Sequence, residues 1–128
     1  MARILAVDDD TDILNLVRNL LSMAGHQVLA AADGPAALAA LGDRNAPDLA
    51  VLDVSMPPMD GVELAERLQQ LPGLEHLPVI FLSAHVQQAD VERGLAIGAR
   101  YMTKPFTANA LLHYVEMVMQ GRVVSSDW

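Results

Sequence analysis

The chain contains no cysteine. That excludes a thiolate nucleophile, a disulfide framework and a Cys-ligated metal centre, leaving oxygen or imidazole as the ligands of any metal. It also contains no apolar stretch approaching the roughly 18 residues needed to span a membrane. The opening MARILAVDDD sets acids directly behind a short apolar run, unlike the h-region of a secretory signal, so the expectation is a cytoplasmic protein without a membrane. Basic residues are scarce as well: eight Lys and Arg stand against sixteen Asp and Glu, for a net charge of −8, and Lys104 is the single lysine. Scattered one at a time, they form no stripe that could hold a phosphate backbone, which argues against direct nucleic-acid binding. Internal repeats and low-complexity segments are lacking too. At 128 residues the chain is one domain able to bury its own core.

What is present is a series of short apolar runs that each stop at a polar residue. Ile4–Val7 stops at Asp8, Asp9 and Asp10, Leu49–Leu52 at Asp53 and Val79–Leu82 at Ser83, while Ala99–Thr103 is a short fifth strand that exits at Lys104-Pro105. Val28–Ala32 is a further strand of the same kind. Fully apolar runs of this length mark strands buried on both faces. Between them, helical spacing predicts a helix capped by Asp10 or Thr11 and stopped by Gly25, then an alanine-rich helix from Pro35 to Leu41 behind the turn Asp33-Gly34. A helix over Val62–Leu71 closes at Pro72-Gly73. A polar helix of marginal stability covers roughly Gln87–Ile97, and the last helix runs through Leu111, Val115 and Met119. Five strands alternating with five helices predict a doubly wound α/β fold with a parallel sheet covered on both faces. Residues 121–128 read as a tail or the start of a linker.

In such a sheet, chemistry collects at the carboxyl ends of the strands. Pro57 and Pro58 make the loop after Asp53 stiff, so that carboxylate sits at a fixed mouth. Capping explains one of the acids at positions 8–10, not three. Clustered carboxylates repel and raise one another's pKa values unless a cation neutralises them, and hard oxygen donors suit Mg²⁺ or Mn²⁺. Such an ion leaves Asp53 partly free to attack phosphorus, with the Lys104 ammonium and the Ser83 hydroxyl able to hold phosphoryl oxygens. Taken singly, each signal is ordinary: an N-cap, a turn aspartate, a strand-end hydroxyl, a half-buried tyrosine. His26, His76 and His113 read as surface residues without ligand spacing, and the methionines as core filler.

With Asp8-Asp9, Asp53, the loop Met56-Pro57-x-Met59-Asp60-Gly61, Ser83, Tyr101 and Lys104-Pro105-Phe106 in place, the chain resembles a response regulator receiver domain of the chemotaxis-receiver type over residues 2 to 120. The resemblance implies a flavodoxin-like sheet in the order 2-1-3-4-5, with residues 1–120 as the receiver. It implies Asp53 as phosphoacceptor, a metal held by Asp8, Asp9, Asp53 and the Ser55 backbone carbonyl, and Lys104 on the phosphoryl group. By the same likeness Ser83 and Tyr101 form a switch pair, Ser55 and His85 tune dephosphorylation, and the Lys104-Pro105 bond is cis. The implied partners are a sensor histidine kinase or histidine phosphotransfer protein, and a downstream protein or fused output domain reached through the face of residues 86–118.

Three other functions compete. A flavodoxin-like FMN carrier needs a hydroxyl- and glycine-rich phosphate loop after strand one, where VDDDTD repels phosphate. A haloacid-dehalogenase-type phosphatase needs an Asp-x-Asp pair, and Asp53-Val54-Ser55 lacks the second acid. A receiver that signals by docking alone has no use for intact Asp8, Asp9, Asp53, Ser83 and Lys104.

Overall fold

The structure is a computed structural model, described here for residues 2–42, 46–55, 59–84, 92, 96 and 99–120. Five strands, β1 (Arg3–Val7), β2 (Gln27–Ala31), β3 (Leu49–Asp53), β4 (Val79–Ser83) and β5 (Arg100–Thr103), form one parallel sheet in the order β2-β1-β3-β4-β5. Four helices are defined among the described residues: α1 (Thr11–Met23), α2 (Gly34–Leu41), α3 (Gly61–Gln69) and α4 (Ala108–Met119). The count of five is therefore not met. The polar helix expected over Gln87–Ile97 lies, apart from Glu92 and Ala96, outside the described residues. None of the described helices is long and apolar enough to cross a membrane.

The pleat sorts the apolar runs into two cores. Leu5, Val7, Ala50, Leu52, Val79 and Phe81 face α2 and α3, where they meet Ala37, Leu41, Val62, Ala65 and Leu68. Their neighbours Ile4, Ala6, Leu49, Val51, Ile80 and Leu82 face α1 and α4, against Val17, Leu21, Leu111 and Val115. With helices on both faces, every residue of β1, β3 and β4 is buried, which is why these strands read as unbroken apolar runs. The edge strands show it differently. β2 is mostly half-buried, and β5 is exposed at Arg100 and Thr103 with Tyr101 half-buried and Met102 buried between them.

Local chemistry moves several boundaries. β2 starts at Gln27 rather than Val28, because the Gln27 N–H donates to the Ala2 carbonyl at 2.9 Å. Asp33 caps α2 by accepting from the Ala36 N–H at 2.7 Å, so the helix begins at Gly34 and Pro35 is its second residue. α3 begins at Gly61 behind its cap Asp60 and ends at Gln69, two residues short of Leu71. Gly25, at φ 94, supplies the left-handed turn after α1 that favours glycine. His76 and His113 are exposed as expected, but His26 is half-buried: its Nδ1 accepts the Ala2 N–H at 3.0 Å. That bond requires an unprotonated Nδ1, and burial first, then the N-terminal charge, hold the His26 pKa below its usual value, with Glu116 opposing.

Candidate functional site

The three-acid run after β1 divides its work. Asp10 is the N-cap of α1, its carboxylate accepting the N–H groups of Asp12 at 3.0 Å and Ile13 at 3.3 Å. Asp8 is buried at 2% exposure while Asp9 is exposed. One Asp8 oxygen accepts the Asp10 N–H at 2.9 Å, which fixes the carboxylate where β1 ends. By pleat alternation Asp8 continues the face of Ile4 and Ala6, Asp53 that of Leu49 and Val51, and Lys104 that of Met102. The register, with Ala6 beside Val51 and Asp53 beside Leu82, brings these ends to one edge.

There the Lys104 Nζ donates to Asp8 Oδ2 at 2.9 Å and to Asp53 Oδ1 at 3.4 Å. Asp8, Asp9 and Asp53 each offer a carboxylate oxygen within 4.8 Å of the others. Burial first, and then the neighbouring Asp8 charge, push the Asp53 carboxyl up from 3.8 to about 6, against the pull of Lys104, with Asp9 adding a smaller push. Burial works against the Lys104 charge, but the hydrogen bond and charge of Asp8, followed by those of Asp53, outweigh it and raise its pKa above the usual value. Three carboxylates facing one ammonium leave two negative charges without a counter-charge from this set. An oxygen-only donor set with that excess fits a hard divalent cation such as Mg²⁺.

The loop behind Asp53 is held by contacts that sequence spacing did not expose. A Cβ at Gly61 would collide with the carbonyl oxygen of Asp53 and approach its carbon at 2.9 Å, both of them backbone atoms. In the same place the Gly61 N–H donates to the Val54 carbonyl at 2.7 Å, so α3 starts hard against the end of β3. Glycine is required here for close approach, its φ not being positive. Met59, expected as part of a motif, is buried, and a Cβ on Gly34 would lie 2.9 Å from its Sδ. The only signal for these roles was the glycine directly after Met59-Asp60.

Ser83, at 2% exposure, ends β4 in the alternation of Val79 and Phe81, the face opposite Asp53 and Lys104. Tyr101 lies on that same face, half-buried, its ring 5.1 Å from that of Phe81 at 38°. The Lys104 N–H donates to the Ser83 carbonyl at 2.9 Å, which ties the β5 exit to the end of β4, and the Lys104-Pro105 peptide is cis as expected. Ser55 is exposed at the loop mouth, and His85 lies outside the described residues. The edge thus unites Asp8, Asp9, Asp53 and Lys104, with Ser83 and Tyr101 on the opposite face of the sheet.

A buried strand-end aspartate between two acids and a lysine, on a doubly wound sheet, defines a signalling receiver. The family model for the response regulator receiver domain matches residues 4–116, and the chain belongs to that family, the receiver modules of two-component systems. Relatives include the transcriptional regulatory protein CpxR of Klebsiella pneumoniae, 39% identical over 121 residues, which cover 94% of this chain and 50% of that protein. The alkaline phosphatase synthesis transcriptional regulatory protein PhoP of Bacillus subtilis is 36% identical over 97% of this chain and 51% of its own length. The chain thus spans about half the length of these curated relatives. Among solved structures, the Vibrio cholerae chemotaxis protein CheY4 superimposes with a TM-score of 0.85 at 34% identity, covering 92% of this chain and 98% of that one.

Proposed function

We propose that Asp53 is the phosphoacceptor of a two-component phosphorelay, taking a phosphoryl group from the phosphohistidine of a sensor kinase or a histidine phosphotransfer protein. The observation that carries this is the Lys104 ammonium set between Asp8 and Asp53, at 2.9 and 3.4 Å, in front of a carboxyl whose pKa is about 6. At neutral pH that carboxylate is mostly ionised, yet less well solvated than a surface acid, which favours it as a nucleophile. An Asp53 oxygen attacks phosphorus, a P–O bond forms, and the P–N bond breaks with its electron pair returning to the donor's imidazole. Lys104 then transfers its hydrogen bond from the Asp53 oxygen to a phosphoryl oxygen. Asp8, Asp9, Asp53 and the Ser55 carbonyl would hold Mg²⁺, which when bound supplies positive charge against the phosphoryl oxygens. Ser55 and His85, flanking the mouth in sequence, are the candidates for setting the lifetime of the acyl phosphate.

Output follows from the second face. A phosphoryl oxygen offers the Ser83 hydroxyl a charge-assisted bond, drawing it toward the site and away from Phe81 and Tyr101, so that Tyr101 turns inward. The face of residues 86–118 then changes its population of conformers and binds a downstream protein or an attached output domain. In this reading residues 1–120 are the switch, residues 121–128 lead away from it, and the module works in the cytoplasm. Amide NMR with and without beryllofluoride, a phosphoryl mimic, tests the relay. Shifts should spread over residues 86–118 in wild type and be confined to the Asp53 loop in Ser83→Ala. Equal responses in the two proteins would refute the relay.

A further inference from the structure

The start of β1 is tied to the turn between α1 and β2 by a reciprocal pair of bonds. Ala2 is 1% exposed; its carbonyl accepts the Gln27 N–H at 2.9 Å, and its own N–H donates to His26 Nδ1 at 3.0 Å. The His26 backbone is fixed in turn, its N–H donating to the Leu21 carbonyl at 3.1 Å where α1 closes. A ring nitrogen that accepts carries no hydrogen, so the neutral His26 ring holds its hydrogen on Nε2. The ring also lines a groove of about 600 Å³ shared with α4, whose His113 and Glu116 lie along it. Among the described residues lining that groove, Glu116 is the one carboxylate and His113 the only other titratable group.

We propose that His26 is an acid-operated clasp: a proton on Nδ1 takes away the acceptor of the Ala2 N–H, and the imidazolium turns from Ala2 toward the Glu116 carboxylate on α4. A protonated ring donates at both nitrogens, so Nδ1–H would face the Ala2 N–H, donor against donor, and leave a buried N–H without a partner. The groups around the ring act in opposite senses. Burial, the largest effect, and the N-terminal charge on the β1 side hold the His26 pKa below the usual 6.5, while Glu116 pulls it up. His113, exposed on α4, adds a like charge when it is protonated, and the α1 side brings only Ala24 to the groove. The native state thus binds this proton more weakly than the unfolded chain does. The stability supplied by the clasp is fully present above pH 6.5 and is lost as pH falls through the lower native value. The clasp is independent of the phosphoacceptor reading. Only its bearing on output rests on that reading, because α4 belongs to the face of residues 86–118 and would receive from His26 an input separate from Asp53.

The test is an NMR titration of the full chain from about pH 8 to about pH 5. At the upper end the imidazole nitrogen shifts should show a bare Nδ1 and a protonated Nε2 on His26, and the ring should titrate below that of the exposed His76. The Ala2 amide should move with the midpoint of His26, not that of Asp53. Its protection against exchange should fall about fivefold or more relative to the Leu5 amide of the same strand. His26→Asn, whose Oδ1 can accept from the Ala2 N–H but does not titrate, should abolish the Ala2 movement. Glu116→Gln should lower the His26 midpoint further and remove the shifts that α4 amides show in step with it. A hydrogen on Nδ1 at pH 7.5, an Ala2 amide indifferent to the His26 titration, or one that still moves in His26→Asn would overturn the clasp. A His26 midpoint and α4 shifts unchanged in Glu116→Gln would overturn the turn toward α4.

Discussion

Asp53→Asn tests the electrostatics of the site through stability alone. In the native protein burial and Asp8 raise the Asp53 pKa from 3.8 to about 6, so the native state binds this proton more tightly than the unfolded chain does. Stability contributed by the neutral carboxyl is therefore intact below about pH 4, declines as pH rises from 3.8 to 6, and is fully lost above. Two units at 1.36 kcal/mol each give about 3 kcal/mol, and water at the open mouth reduces this to about 2 kcal/mol. Asparagine keeps the shape and can still accept from Lys104, but carries no charge. For 128 residues the unfolding entropy is about 0.27 kcal/mol/K, so the variant should melt about 7 °C above wild type at pH 7.5 in EDTA. The gap should halve near pH 5 and fall to about 1 °C at pH 4, since wild type then carries the proton. Saturating Mg²⁺ stabilises only the protein that binds it well, by about 2.7 kcal/mol at a hundredfold excess over Kd, and should close or reverse the gap. Scanning calorimetry at the three pH values decides. An Asn variant that melts at or below wild type in EDTA at pH 7.5, or a gap that does not shrink on acidification, would refute the reasoning.

Asp9→Ala should weaken Mg²⁺ binding by about tenfold in calorimetric titration. In EDTA it should raise the melting temperature by less than Asp53→Asn does, because Asp9 is exposed and exerts the smallest push on Asp53. A stabilisation equal to that of Asp53→Asn would contradict this ranking. Gly61→Ala should cost about 3 kcal/mol or more in urea unfolding, since the new methyl meets the Asp53 carbonyl, a backbone group that cannot turn aside. A loss below about 1 kcal/mol would mean that β3 and α3 separate easily, contrary to the packing observed.

The parts legible in the sequence were those written into one local segment. β1, β3 and β4 announced themselves because both faces are covered, which makes the interior of each strand, Ile4–Val7, Leu49–Leu52 and Val79–Leu82, an unbroken apolar run. Asp10 and Asp33 were legible as cap or turn because a cap bonds only two or three residues ahead. The gathering of Asp8, Asp53 and Lys104, 96 positions apart from first to last, was legible only because a doubly wound sheet puts every strand's carboxyl end on one edge. Gly61 was not, since its constraint is the position of the Asp53 carbonyl in space and leaves no mark on spacing or periodicity. His26 looked like a surface histidine because nothing local reveals that the Ala2 N–H points at its Nδ1 across 24 residues. The start of β2 shifted for the same reason, the Gln27 N–H being claimed by Ala2.

The account stands most directly on where the phosphoryl group goes. Incubation with acetyl phosphate and Mg²⁺ followed by intact-mass spectrometry should give a single phosphoryl increment on the wild-type chain. It should give none in EDTA and none on Asp53→Asn, whose fold the melting experiment verifies. An increment that persists in Asp53→Asn, or that forms equally without a divalent ion, would contradict the central claim that Asp53 accepts the phosphoryl group at a metal-dependent site.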